Sequence, residues 1–235
     1  LPADVPDQGG GAKESKSFLA RVLTHEEVRR LLDAVDRIEP MASTHLRHIV
    51  LPELLRVLYG CGLRLEEALS LRMRDVDLVQ GVLHINDTKF RKDRLVPPAR
   101  PLVARLQKYA AALGSRSDDD YFFPSPRGGQ LHGSGVYRNY RDLLHRCHIG
   151  HGGRGEGPRL HDLRHTFAVH TLLRWYREGA DLQARMPVLA TYLGHASIDG
   201  TQDYLQMTAE LYPEIVSRSD AAFSDVIPRR SWRSS

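Results

Sequence analysis

The stretch THLRHIVLPELLRVLYGCG, Thr44 to Gly62, is apolar at helical spacing and runs out on Gly60 and Gly62, residues that stop helices. Pro52 inside it predicts a kink or the start of a new helix. Upstream, Thr24 followed by Glu27 is a capping-box pattern, so a helix is predicted from His25 to about Asp36. RLEEALSL reads as a short helix. The period then changes: GVLHIN alternates and reads as a strand, RLVPP as its partner, and DTKFRKD as the turn between them. Helices are expected at about 99–112, 135–148, 161–177, 185–194, 198–206 and 209–222. GHGGRGEGP lacks the GxxxxGK[ST] pattern of a phosphate-cradling loop and reads as a flexible connector. The pattern predicts a mainly α fold with one small antiparallel sheet, an α+β class. Residues 1–20, with the polar, Gly-rich DQGGGAKESKS, read as a flexible linker or arm, and residues 223–235 as a short basic tail.

The chain has 235 residues, enough to bury a substantial core. No apolar run approaches a membrane span, and no secretory signal pattern opens the chain. Two cysteines, Cys61 and Cys147, are too few for a disulfide framework and lack metal-ligand spacing, so a reducing cytoplasm is expected. The net charge of +4 says little alone; its distribution says more. Lys89 to Arg105 holds six basic residues against one acid, and Ser125 to His165 holds seven arginines, three acids and six of the twelve histidines. Such clustering suits a polyanion such as nucleic acid, or else a solvated arginine-rich surface.

The densest nitrogen lies in PRLHDLRHTFAVH, Pro158 to His170. On a helix, His161, Arg164 and His165 share one face, which suits a metal ion or an anion. HDLRH has the i,i+4 histidine pair of a zinc-binding helix, with Asp162 in place of glutamate. Asp162 is one methylene short of the usual base, and Arg164 would set a fixed positive charge beside the cation. A structural role for the two histidines is the plainer alternative.

Four further blocks favour the anion. Arg64 follows Gly62-Leu63, with Glu67 three residues on; Lys89 lies in the basic hairpin; His195 follows Leu193-Gly194; and Tyr204 stands nine residues beyond it. Together with His161-x-x-Arg164, these blocks strongly resemble the tyrosine recombinase (phage integrase) family, in order and at plausible separations, over about residues 20 to 215. The resemblance implies that family's catalytic-domain fold, related to type IB topoisomerases, over residues 21–222. It implies catalytic roles for Arg64, Lys89, His161, Arg164, His195 and Tyr204, with Glu67 and His165 in support and Arg91, Lys92 and Arg94 as DNA contacts. Lys92 competes with Lys89 for the lysine role, whereas Tyr192 and Tyr212 lack the required distance from His195.

The implied reaction is site-specific cleavage and rejoining of DNA through a 3′-phosphotyrosine, with no metal, cofactor or ATP. The implied partner is a double-stranded recombination site, bound by a tetramer formed on DNA from protomers that are monomeric in solution. Accessory recombination proteins and a bacterial-type, nucleoid-associated cytoplasmic location go with that picture; a membrane does not. Type IB-like relaxation and a non-catalytic DNA-binding module of the same fold are the alternatives. A zinc hydrolase built on HDLRH would leave the other four blocks unexplained. Family members usually carry a helical DNA-gripping domain ahead of the catalytic one, and this chain, which opens on Leu1, is expected to lack it, either as a fragment or as a short protein that borrows grip from a partner.

Overall fold

The computed structural model describes residues 21–86, 93–150, 157–195 and 204. Its centre is helix α2 (Arg47–Gly60), in which Val50, Leu51, Leu54, Leu55, Val57 and Leu58 are all buried. Pro52 and Glu53, on the opposite side, are buried as well, so the buried positions run round the whole circumference and the helix is enclosed. Helices α1 (His25–Asp36), α3 (Leu65–Ser70), α4 (Arg100–Leu113) and α6 (Leu160–Arg177) pack around it. Pro52 lies inside α2, and the helix continues through it rather than restarting. Buried Glu53 on α2 accepts from Arg105 Nε of α4 at 3.1 Å, so the carboxylate that α2 turns into this packing is paired.

Between α3 and α4 run three short strands, β1 (Val76–Asp77), β2 (Val82–Ile85) and β3 (Arg94–Val96), antiparallel in that order. Leu83 faces Val96 and Ile85 faces Arg94, and Leu83, Ile85 and Val96 are buried. The alternation of GVLHIN is thus the inner and outer face of β2. Strand β1 has two residues, too few to show a period, and no sequence pattern announced it. Residues 87–92, which hold most of the expected turn with Lys89, Arg91 and Lys92, lie outside the described residues.

Helix α1 starts at the expected residue, with Thr24 Oγ1 accepting from Glu27 N at 3.1 Å and Glu27 Oε2 from Thr24 N at 2.8 Å. Helix α5 (Gly133–Arg146) packs on α1 and α3. Helix α7 (Leu182–Leu193) begins three residues earlier than its hydrophobic pattern predicts, because Asp181 caps it by accepting from Gln183 N at 2.9 Å and Ala184 N at 3.2 Å. The helices expected at 198–206 and 209–222 lie outside the described residues except for Tyr204, which is helical.

Helix α6 is tied to its neighbours by side chains as well as by apolar packing. Thr166 Oγ1 accepts from Leu23 N at 3.1 Å. His170 Nδ1 meets the Tyr59 hydroxyl of α2 at 3.0 Å, and its ring stacks on that of His25 at 3.7 Å. Burial first, and the nearby His25 second, hold the His170 pKa down to about 4 from 6.5.

Gly62 stands where the loop after α2 passes under α6 and α7. Its φ is +61°, and a Cβ there would lie 2.6 Å from Phe167 Cδ1 and 2.8 Å from Leu193 Cδ2. Gly62→Ala is therefore expected to destabilise the chain by about 1–3 kcal/mol, through both the backbone angle and the collision. A lowered midpoint in urea unfolding checks this; an unchanged midpoint would show that the loop shifts freely. His170 generates a second expectation. The unfolded chain takes up this proton below pH 6.5 while the folded chain resists it, so the stability tied to neutral His170 is complete above 6.5 and falls as pH drops towards 4. In His170→Asn, which keeps an acceptor for Tyr59, the thermal midpoint should decline less steeply than in wild type between about pH 7 and pH 5. An equal slope would assign the acid sensitivity elsewhere.

Candidate active site

The site is assembled where the loop before α3, the end of α7 and the first turns of α6 meet. Arg64 is the residue before α3, and Glu67, one turn on, reaches back to it: Glu67 Oε2 accepts from Arg64 N at 2.9 Å and Oε1 from Arg64 Nη1 at 2.8 Å. The R-x-x-E spacing is thus the spacing at which a first-turn carboxylate meets the helix start. Glu67 also takes a two-pronged contact from Arg94 of β3, Nη1 to Oε1 at 3.0 Å and Nη2 to Oε2 at 2.8 Å. Burial would raise the Glu67 pKa, but the hydrogen bonds from Arg94 and from the Arg64 backbone outweigh it and hold the carboxyl down at about 2.

Arg164, 1% exposed, is the largest fully buried side chain among the described residues. Its Nη1 donates to Gly62 O at 2.8 Å and its Nη2 to Leu193 O at 2.6 Å, which joins α6 to the loop before α3 and to the end of α7. Burial first, then Arg64, lowers its pKa to about 10, still well above neutrality. The last turn of α7 meets two other arginines. Tyr192 O accepts from Arg94 Nε at 2.9 Å, and Gly194 O from Arg64 Nη2 at 3.4 Å. Three guanidinium groups from three elements therefore end on three successive carbonyls, at the negative pole of the helix. Gly194 takes the left-handed conformation that ends α7, and a Cβ on it would lie 2.9 Å from Arg94 Nη1.

His195 follows directly. Its ring stacks on that of Tyr204, centroids 5.8 Å apart. Tyr204 is 3% exposed, and its hydroxyl lies 3.1 Å from His165 Nδ1. His161, more exposed, sets its ring edge-on to His165 at 4.7 Å. Burial, aided by the surrounding positive charge, lowers the pKa of all three histidines, His165 to about 3 and His195 to about 4. At neutral pH these rings are uncharged. His165 Nε2 faces Asp162 Oδ1 at 4.0 Å, which favours the proton on Nε2 and leaves Nδ1 to accept from the tyrosine hydroxyl.

The structure thus gathers Arg64, Glu67, His161, Arg164, His165, His195 and Tyr204 around one spot, while Lys89, Arg91 and Lys92 lie outside the described residues. Two positions differ from expectation. Arg94, expected as a DNA contact, is turned inward: its side chain is 7% exposed and engaged with Glu67 and a carbonyl. Its strand places it on the sheet edge that meets α7, a contact between segments about a hundred residues apart that no local pattern signals. His165, expected to support its helix, is the imidazole hydrogen-bonded to Tyr204; the i,i+4 spacing from His161 put it on the right face but could not rank the two. Asp162, the would-be base of the zinc reading, is fully buried and accepts from Arg159 N at 2.8 Å. Among the described residues no group of three or more His, Cys, Asp or Glu is placed to hold a metal ion, and no helix is long and apolar enough to cross a membrane.

Comparison with known proteins gives this geometry a context. The sequence pattern described as "Phage integrase family" matches residues 21–210. A putative integrase/recombinase of Sinorhizobium fredii, y4rE, is 38% identical over 209 residues, covering 87% of this chain and 64% of its own length, so this chain spans less than two thirds of that relative. The crystal structure of XerA recombinase superposes with a TM-score of 0.64 at 28% identity, over 98% of this chain and 68% of that one. The XerH site-specific recombinase bound to palindromic difH substrate, a post-cleavage complex, superposes at 0.65 with 22% identity, over 88% and 55%; at that identity the likeness is one of fold. With the family pattern covering most of its length, and with the residues that carry the family's motifs drawn together in space, the chain belongs to the phage integrase family.

Proposed function

We propose that this chain is the catalytic unit of a site-specific DNA recombinase that breaks and rejoins strands through a tyrosine–phosphate bond. The observation that carries the reading is the Tyr204 hydroxyl, hydrogen-bonded to a neutral imidazole and set beside Arg64, Arg164 and His195. In the reaction the Tyr204 oxygen attacks a DNA phosphorus, a P–O bond to tyrosine forms, and the bond to the 5′ oxygen breaks. The tyrosine proton passes to His165, with His161 beside it as the second imidazole. Arg64 and Arg164 meet the charge that builds on the non-bridging oxygens, and guanidinium forks suit that geometry. Donors already held in place in a water-poor site contribute several kcal/mol to such a step. His195 donates to a phosphate oxygen, and Lys89 protonates the departing 5′ oxygen. The phosphotyrosine keeps the energy of the broken linkage, so the 5′ hydroxyl of a partner strand can reverse the step.

The substrate of this reading is double-stranded DNA. The basic runs around Lys89–Arg105 and Ser125–His165 support it, as do the recombinase names of the relatives. Arg91 and Lys92, from the first of these runs, are read as further contacts to DNA phosphates. Exchange between two duplexes breaks four strands, so the active assembly is a tetramer on DNA in a bacterial-type cytoplasm.

The deciding experiment is trapping on a nicked suicide substrate. Wild type should leave a covalent protein–DNA adduct on a denaturing gel; Tyr204→Phe should bind DNA and leave none, and an undiminished adduct in that variant would sink the assignment. In the same assay His165→Ala should slow cleavage by about a hundredfold or more and exceed the loss in His161→Ala, as removal of the proton acceptor requires; the reverse order would return that role to His161. Lys89→Ala should be similarly slow on ordinary DNA yet close to wild type on a 5′-bridging phosphorothiolate, whose sulfur leaves without a proton. Equal slowness on both substrates would reduce Lys89 to a phosphate contact, and sulfur rescue of Lys92→Ala instead would move the role there.

A further inference from the structure

Arg94 lies within the sequence run that suggests DNA contact, but its side chain does something else. Its three nitrogens are occupied inside the protein: Nη1 and Nη2 on the two oxygens of Glu67 at 3.0 and 2.8 Å, and Nε on Tyr192 O at 2.9 Å. The group is 7% exposed, as is the carboxylate it meets. Glu67 in turn holds Arg64 by its backbone N–H and by Nη1. The guanidinium also packs flat on Gly194, where a Cβ would meet Nη1, Cζ and Nε at 2.9–3.1 Å, so the residue before His195 has to be one without a side chain.

We propose that Arg94 is a positioning residue of the active site: it clamps Glu67 and the end of α7 to strand β3, and so aims Arg64 and His195 at the phosphate. The proposal rests on the recombinase reading for its chemistry, though the clamp itself is a property of the free protein. Geometry explains why an arginine is needed. Only a planar fork with a third donor at Nε can span both carboxylate oxygens and a helix-terminal carbonyl at once; an ammonium group is a point donor. The clamp also solves an electrostatic problem. Arg64, Arg94 and Arg164 crowd together, and Glu67 lies between two of them. Without Arg94, Glu67 would keep Arg64 alone as its cationic partner while remaining buried, so its grip on Arg64 would weaken and the carboxyl would titrate higher.

Two measurements on the whole chain, in Arg94→Ala and Arg94→Lys, test this. The first is the carboxyl ¹³C shift of Glu67 against pH in the free protein. In wild type it should show no titration above about pH 4, whereas both variants should show a midpoint shifted upward into that range. The second is single-turnover cleavage of suicide DNA at saturating protein, alongside DNA affinity by anisotropy. A positioning role predicts cleavage slower by roughly tenfold or more with affinity within about twofold of wild type, since misplaced groups cost rate rather than binding. Arg94→Lys, which keeps the charge but not the fork, should fail to restore the rate, and it decides the matter should Arg94→Ala fold poorly. Weakened affinity with unchanged cleavage at saturation would make Arg94 a DNA contact and overturn the proposal. An unmoved Glu67 titration, or wild-type cleavage in both variants, would overturn it as well. If wild type itself forms no adduct, the recombinase reading fails, and the clamp stands or falls on the Glu67 titration.

Discussion

Three guanidinium groups ending on the carbonyls of Tyr192, Leu193 and Gly194 are the interaction on which the rest of the site depends. Each arginine comes from a different element: Arg94 from β3, Arg64 from the start of α3, and Arg164 from α6. Free of partners they would repel one another. The helix-terminal carbonyls and the Glu67 carboxylate hold them close, because the end of α7 concentrates partial negative charge on its last carbonyls. Among the described residues, the outcome is a cluster of three arginines held by backbone carbonyls and the Glu67 carboxylate.

That arrangement reaches into the core. Arg164 can be buried because its charge is met by two carbonyls in fixed positions, Gly62 O and Leu193 O. Those carbonyls are fixed because the loop at Gly62 lies against Phe167 and Leu193 with no room for a side chain, and because α7 ends on a left-handed glycine over Arg94. Enclosed helix α2 supplies the rigid floor beneath, and the Tyr59–His170–His25 contacts hold α6 on it.

The positive charge of the arginines also bears on the state of the imidazoles. Burial and the nearby arginines keep His161, His165 and His195 neutral, and a neutral ring can accept a proton where a charged one cannot. On the proposed reaction, a phosphate arriving among Arg64 and Arg164 would offset the charge that depresses these pKa values and so would couple substrate binding to proton transfer.

Much of this was legible in the chain alone, for reasons of short range. A capping box needs only Thr24 and Glu27; Glu67 meets Arg64 because they are one helical turn apart; His161, Arg164 and His165 share a face at any turn of α6. Strand alternation in β2 follows from its half-buried surface. The described residues of the motif blocks meet in space, while Lys89 lies outside the described residues. What the chain alone left undecided depends on distance across the fold. Arg94 is 27 residues from Glu67 and 98 from Tyr192, and nothing local distinguishes an inward arginine from the basic hairpin around it. Nor could spacing tell two histidines four residues apart: the hydrogen bond of His165 to Tyr204 spans 39 residues. Local periodicity fixes which face a side chain occupies; which partner waits on that face is settled by the packing of elements far apart in sequence, and there the tertiary structure alone decides.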